Sequence, residues 1–529
     1  MNTSHAGEPA SPKSLRPWLG VVAVALWFLR FALGKAVPEA FFVSIIGGLA
    51  GGAAVIAWWI FFSKAPRAER WGGALVTIAA LLAGWRLSDP SIATGYMGMM
   101  YPVYAIPVLG IAIAGWEVFS GRLAAWPRRA SLIATILLAC GGWTLLRTEG
   151  VYGGEAGSEF DWRWSATREQ RLLARPAVQL PAVAVAVAEA PEVKVRAETP
   201  GEAAPVAVAA EIGGWPGFRG PARDGVIPGT RIKTDWAATP PVKLWRHEVG
   251  PGWGSFAVRG NLIYTQEQRG EDEVVACYHA TTGKPVWAHR DAARFWESMA
   301  GAGPRATPAV DGGRVYTLGA TGILNALDAA TGAMLWSRNA ASEHAKQVPG
   351  WGFAGSPLVV DGMVVAALSG LLAAYDATTG EPRWKGPAIG GGYSSPHLAT
   401  IGGVAQILLL TSQGAAGVAQ ADGALLWKHS WPSDARIMQP VLTGDGGVLI
   451  SNGDGMGGSG MRRLAVALGA GGWKAEEQWT SAGLKSNFSD FVVHEGHVYG
   501  FDGSIMACID AKDGKRKWKG GRYGHGQLV

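Results

Sequence analysis

Cysteine is scarce in this chain: three of 529 residues. Three thiols cannot build a disulfide framework. Cys140 lies in an apolar run, and Cys277 and Cys508 share one repeated position, so all three read as buried small hydrophobes. No histidine falls inside a long apolar run, which excludes bis-histidine haem ligation there. No Cys-x-x-Cys-His occurs, which excludes covalently attached c-type haem. Charge is also sparse, at 17% of residues, and the net +6 is dispersed along the chain. That is no nucleic-acid footprint, and no nucleic-acid partner is expected.

What is abundant is glycine (76) and tryptophan (25), together with long apolar runs. After a polar tail over 1–17, five such runs follow at Trp18–Gly34, Ala40–Phe62, Trp71–Trp85, Gly98–Phe119 and Ala130–Leu146. Several approach the roughly 20 residues that cross a bilayer, the third being the shortest. They predict about five membrane spans over 18–147. Lys13, Arg16, Lys64, Arg67, Arg70, Arg122, Arg128 and Arg129 flank one side, against Lys35, Arg86 and Arg147 on the other. The basic side is expected to be cytoplasmic. An odd number of spans then places the rest of the chain in the periplasm of a Gram-negative cell. Met97, Met99, Met100, Tyr101 and Tyr104 cluster at the fourth run, where helix packing and interfacial anchoring outweigh a quinone pocket. Residues 148–174 form a juxtamembrane segment with a short helix, in which Thr167 and Gln170 have capping-box spacing. Residues 175–213, with prolines at 176, 181, 191, 200 and 205, read as a disordered Pro/Ala-rich linker.

From about residue 214 the pattern changes to repeats. Ala326-Leu327-Asp328-Ala329-Ala330-Thr331-Gly332 followed by Trp336 reads as strand, tight turn, strand. Asp328 accepts nearby backbone N–H groups and Gly332 supplies a positive φ. Copies centre on Gly283, Gly380, Gly423 and Gly514, and the tryptophans Trp245, Trp287, Trp336, Trp384, Trp427, Trp479 and Trp518 step by 39 to 52 residues. Short apolar runs separated by glycine-rich turns fill each interval. Four short strands per 40–50-residue repeat predict a β-propeller. Six residues before each glycine stands a small side chain (Cys277, Ala326, Ala374, Gly417, Cys508), leaving room for a flat indole.

This arrangement resembles the tryptophan-docking motif of the pyrroloquinoline-quinone-like (PQQ-like) propellers. That group spans quinoprotein alcohol and glucose dehydrogenases and the non-catalytic outer-membrane-assembly protein BamB. Trp215-Pro216-Gly217-Phe218-Arg219-Gly220-Pro221-Ala222-Arg223-Asp224-Gly225 is similar to the opening of a BamB-like branch of membrane-attached bacterial proteins. The likeness covers about 213–529. Six blades end at Trp287 through Trp518, and Val242–Val249 reads as a lone outer strand. Relatives of this type usually close with eight blades. The expectation is therefore a single propeller, eight-bladed in the complete protein and truncated here, over 214–529; a compact six- or seven-bladed ring with Val529 as a frayed end is the alternative.

Residues preceding the inner strands line the channel mouth: Trp253, Ser255, Phe256, Arg305, Thr307, Trp351, Phe353, Ser356, Tyr393, Ser394, Ser395, Gln439, Asn487, Phe488 and His525. Candidates for a ligand site are Trp253, Arg305, Trp351, Phe353, Tyr393, Gln439, Asn487 and His525. The same set also suits plugging of the axis. Catalytic residues remain unassigned, and no metal site is expected. The dehydrogenase relatives hold PQQ and Ca²⁺ on the axis, yet the mouth set has no carboxylate, Glu297 and Asp490 being nearest, and no adjacent cysteine pair is present. The reading is a monomeric, membrane-anchored periplasmic propeller that binds a protein or peptide, with no cofactor. Enzymatic activity is uncertain and disfavoured. The alternative is a PQQ- and Ca²⁺-dependent dehydrogenase that oxidises a sugar or alcohol and passes electrons to membrane quinone.

Overall fold

The computed structural model describes residues 41–63, 65–152, 157–175, 214–227, 229–433, 436–452, 460–486, 488–524 and 526–529. The first apolar run, nearly all of the Pro/Ala linker, Asn487 and His525 lie outside them. The chain divides into two compact units: one of residues up to Ala166 together with Ser298–Gly301, the other holding the remainder.

Among its described residues the first unit contains four long helices: α1 (Phe41–Phe62), α2 (Arg67–Leu87), α3 (Met100–Ser120) and α4 (Ala125–Gly141). The expectation of about five spans is corrected here. Among the described residues, two segments are long and apolar enough to cross a membrane, Ile45–Phe62 and Met100–Ser120. The other two helices fall short for visible reasons. α2 carries Arg67, Glu69, Arg70 and Arg86, and α4 is 17 residues long with Arg128 and Arg129 in it. Trp59, Leu109, Ile113, Trp116, Leu132, Ile136 and Cys140 form the buried core. Tyr101 is buried and donates to Cys140 O (3.1 Å), and Tyr104 packs on Trp143 and Phe160, so these tyrosines serve helix packing. At one end of the bundle Arg128 bridges two buried carboxylates, Glu69 (3.3 Å) and Glu117 (3.2 Å), and Trp59 Nε1 donates to Glu117 (3.4 Å). A hairpin, β1 (Leu146–Tyr152) and β2 (Gly157–Trp162), follows α4.

The second unit opens with α5 (Arg168–Leu173). Thr167 Oγ1 accepts from Gln170 N (2.9 Å), and Gln170 Oε1 accepts from Thr167 N (2.8 Å). After it, among the described residues, come six four-stranded antiparallel sheets, each a simple meander. They span Ala257–Asp291, Ala309–Asn339, Leu358–Lys385, His397–Ser430, Val441–Ser481 and Val492–Arg522, and are called blades 1 to 6. This strand content is that of a propeller.

The Asp–Gly turns form as their residue types require. Asp328 Oδ1 accepts from Ala330 N (3.1 Å), Thr331 N (2.8 Å) and Thr331 Oγ1 (2.8 Å). The Thr331 hydroxyl, followed by these amides, holds the Asp328 carboxyl below its usual range. Asp376 makes the same three contacts in blade 3.

Most of the repeat indoles bridge to the following blade. Trp336 lies in register with Ala326 of its own blade, while its ring covers Gly380 of the next, where an added Cβ would come within 2.7 Å of the indole. Its Nε1 donates to Ala377 O (3.1 Å). Trp245, Trp287 and Trp384 do the same on Ala280, Ala329 and Gln420 of the blade that follows. The small residue thus makes room for its own blade's indole, and the following blade's turn receives it. The series breaks at blade 5, whose outer hairpin turns at Gly469–Gly472 without the Asp–Gly copy. Trp427 therefore donates within its own blade, to Gln406 Oε1 (2.7 Å), and the Trp479 Nε1 has no hydrogen-bond partner.

The stretch Val242–Val249, read above as an outer strand, is irregular. Pro240, Pro241 and Pro251 flank it and remove ladder donors, so Trp245 is held by its indole contacts alone.

Candidate functional site

The inner strands of the blades are joined near their starts by side-chain oxygens. Ser255 N donates to Thr307 Oγ1, Thr307 N to Ser356 Oγ, and Ser356 N to Ser395 Oγ, all at 2.9 Å. Gln439 N donates to Asp490 Oδ1 (3.0 Å), and Asp490 N to Gln527 Oε1 (3.1 Å). In blades 2, 3, 4 and 6 the residue two positions ahead of the inner strand caps the matching N–H of the preceding blade. This satisfies backbone donors that the sheets leave open.

The segment Trp215–Gly225 runs through this set of strand starts. Trp215 forms a β-bridge with Val258 of blade 1, and Val310 N of blade 2 donates to Pro216 O (2.7 Å). Arg219 (φ +61°) and Arg223 (φ +54°) both take the left-handed backbone region, in a turn that also contains Gly220 and Gly225. Holding two non-glycine residues there costs on the order of 1–3 kcal/mol each, and such strain persists only where the surroundings enforce it. Here they do. Arg223 donates to Pro357 O (2.8 Å) and Ser356 O (3.1 Å) of blade 3 and to Gln439 Oε1 (3.3 Å) at blade 5. Arg219 donates to Asp224 O (2.9 Å) and to Phe491 O of blade 6, and lies 3.6 Å from Asp490 Oδ1. Gln439 Nε2 donates to Arg223 O (2.7 Å) and meets His397 Nδ1 (2.9 Å). One chain segment therefore joins blades 1, 2, 3, 5 and 6 where their inner strands begin.

The electrostatics follow from burial. Desolvation, then repulsion from Arg219, lowers the Arg223 guanidinium to about 9. Desolvation with both arginines nearby pushes His397 down to about 3, so its imidazole is neutral. Desolvation raises the Asp490 carboxyl above its ordinary value, against the pull of the two guanidinium groups.

The residues expected to form one mouth separate. Trp253 (53% exposed) and Trp351 (43% exposed) present their rings to solvent. The Arg305 side chain is buried, pairs with Glu297 Oε1 (3.2 Å), donates to Trp351 O (3.4 Å) and lies 5.2 Å over Phe295. Tyr393 is half-buried and its N–H donates to Arg436 O (2.7 Å). Phe353 is a core residue, packed with Leu318, Leu324 and Leu368, because its strand-start position faces the seam between blades 2 and 3. Gln439 is fully buried and serves Arg223. Asn487 and His525 lie outside the described residues. Arg219, Arg223 and His397 were missed as axial residues. The available signal was two arginines four apart in a glycine-punctuated segment ahead of the first blade.

PQQ and Ca²⁺ do not fit these residues. Ca²⁺ requires six to eight oxygens, largely carboxylate and carbonyl. Here the carbonyls of Ser356, Pro357 and Phe491 are taken by guanidinium groups, and Asp490 faces Arg219. Two buried cations repel a third.

The family model described as outer membrane protein assembly factor BamB matches residues 240–387 and 271–520. The quinohemoprotein alcohol dehydrogenase ADH-IIG of Pseudomonas putida is 32% identical over 168 residues, 30% of this chain and 22% of that protein. The chain thus spans about a fifth of the length of that curated relative. Among solved structures, BamB from Moraxella catarrhalis aligns with 19% identity and a TM-score of 0.31, covering 50% of this chain and 82% of that one. The quinohemoprotein alcohol dehydrogenase of Comamonas testosteroni aligns with 13% identity and a TM-score of 0.32, over 60% and 74%.

Proposed function

Because this chain belongs to the family described as outer membrane protein assembly factor BamB, we propose that it is a membrane-anchored periplasmic propeller that binds a protein or peptide partner. The observation that carries this reading is the filled axis. The position where a dehydrogenase of this fold would need an acidic, oxygen-rich pocket is taken by the chain's own Arg219 and Arg223, tied to blades 3, 5 and 6. Recognition then falls to the surface, where Trp253, Trp296, Trp351 and Phe488 expose aromatic rings suited to anchoring a partner. Anchoring rests on α1 and α3, which have the length and apolarity to cross a bilayer. α2 adds an outward stripe at helical spacing, Trp71, Leu75, Ile78 and Leu82, each more than half exposed, which suits contact with acyl chains. The buried Glu69–Arg128–Glu117 network keeps charge off that surface.

The match to a quinohemoprotein alcohol dehydrogenase keeps one rival reading in play, a PQQ-dependent oxidoreductase. Detergent-solubilised full chain incubated with PQQ and Ca²⁺ separates the two. The expected result is no bound-quinone absorbance and no dye-linked oxidation across a panel of alcohols and sugars, with a stable periplasmic protein recovered after in-cell cross-linking. Quinone absorbance with turnover overturns the proposal.

A further inference from the structure

The axial cluster has a charge and hydrogen-bond deficit that its own residues do not close. Arg219 and Arg223 bring two buried guanidinium groups. Among the described residues a single carboxylate stands against them, Asp490, which is itself buried and already accepts from Gln439 N. His397, the remaining titratable group in contact with the cluster among the described residues, is neutral. Arg223 spends its donors on uncharged oxygens only. Arg219 Nε and Nη1 are buried and donate no hydrogen bond, Nη1 meeting Asp490 Oδ1 only as an ion pair at 3.6 Å. The hydroxyl of Ser489, the chain neighbour of Asp490, is likewise buried and without a partner, as is that of Ser486. Buried cations and buried donors are normally matched, because each leaves strong water interactions behind on folding. Both arginines are also turned inward by positive-φ backbone, which argues against a chance placement.

We propose that the propeller axis binds a small inorganic anion, of halide or phosphate size, at Arg219 and Arg223. The anion takes hydrogen bonds from Arg219 Nε and Nη1 and supplies the missing negative charge between the two guanidinium groups. It acts as a structural pin: it holds the segment Trp215–Gly225 against blades 3, 5 and 6. The site is independent of which partner the outer surface recognises.

The test uses the full chain in detergent. Crystals grown in sodium bromide are examined by anomalous diffraction at the bromine edge, with an anomalous peak expected within hydrogen-bond distance of Arg219 Nε or Nη1. In solution, chloride, bromide or phosphate should raise the melting temperature saturably. Equal ionic strength from a bulky sulfonate buffer should not. Asp490→Asn removes the competing carboxylate and should tighten bromide binding roughly tenfold, as expected when a charge within about 4–6 Å is deleted. Arg219→Met should abolish the anion-specific stabilisation. Should that variant fail to fold, the wild-type anomalous map and Asp490→Asn decide. Water alone at the axis, or stabilisation that tracks ionic strength and not anion size, overturns the proposal.

Discussion

Glu273 offers a direct measure of how tightly blades 1 and 2 are sealed. It sits on the third strand of blade 1 and is 4% exposed. It reaches across the seam to accept from Ala320 N (3.0 Å) and Thr321 Oγ1 (3.5 Å) in blade 2, and Asp291 lies beside it in register. Desolvation is the main reason its carboxyl is raised, from an ordinary 4.5 to about 7, with Asp291 adding to the rise and the Ala320 amide and Arg305 opposing it. Between these two values the folded protein holds a proton that the unfolded chain has released. Stability from this group is therefore full below about pH 4.5, declines between 4.5 and 7, and is lost above 7. A rise of about 2.5 units at ~1.4 kcal/mol per unit amounts to about 3 kcal/mol. Glu273→Gln is neutral at every pH, keeps an acceptor for Ala320 N–H and adds a donor for Thr321 Oγ1. Denaturant unfolding of the detergent-solubilised chain, followed by near-ultraviolet circular dichroism of the propeller tryptophans, should find the variant close to wild type at pH 5. At pH 8 it should be more stable by about 3 kcal/mol. A variant-minus-wild-type difference that is the same at both pH values refutes the reasoning.

Gly380→Ala should destabilise the propeller by about 2–3 kcal/mol, because the new methyl meets the Trp336 ring and the backbone is at φ +74°. Gly362→Ala, at φ +69° with open space around it, should cost only about 1 kcal/mol, so thermal melting of the pair separates backbone strain from the inter-blade clash. Arg128→Met strands Glu117 and leaves Glu69 with only the more exposed Arg129 (3.5 Å) in the helical unit, and should cost roughly 3–5 kcal/mol. Adding Glu69→Gln and Glu117→Gln should restore most of it in detergent unfolding. Alanine at both Trp253 and Trp351 should leave the melting temperature within a degree or two while reducing recovery of the cross-linked partner. An unchanged yield would count against the aromatic surface as the recognition site.

The parts of this fold that could be read in advance are those built from neighbours in sequence. Asp328, Thr331 and Gly332 make a turn with contacts no longer than three residues, and repetition of that turn marks out four-stranded units. The axial cluster is of the opposite kind. Arg223 meets Pro357 and Gln439 across 134 and 216 residues, and Arg219 meets Phe491 across 272. No local pattern announces such a meeting, and arginine in a glycine-rich stretch looks like a solvated loop. Phe353 was misplaced because position in the repeat says which strand start a residue belongs to and not which side of the seam it faces. In the helical unit, reading Arg128 as a flanking charge missed its pairing with Glu69 and Glu117, because apolar runs show spans but not which charges pair between them.

The relay of indoles has a mechanical consequence. Every bridging tryptophan grips the blade that follows it, so tension on a single blade is passed to its neighbour through rigid rings seated on turns. The relay skips at the junction of blades 4 and 5, where Trp427 turns back on Gln406. That seam is held instead by apolar packing of Trp427 with Val448 and Val466 and by Arg462 of blade 5 against His429, so in a single-molecule pulling experiment Trp427→Ala should lower the first rupture force less than Trp336→Ala; a larger drop for Trp427→Ala would contradict this.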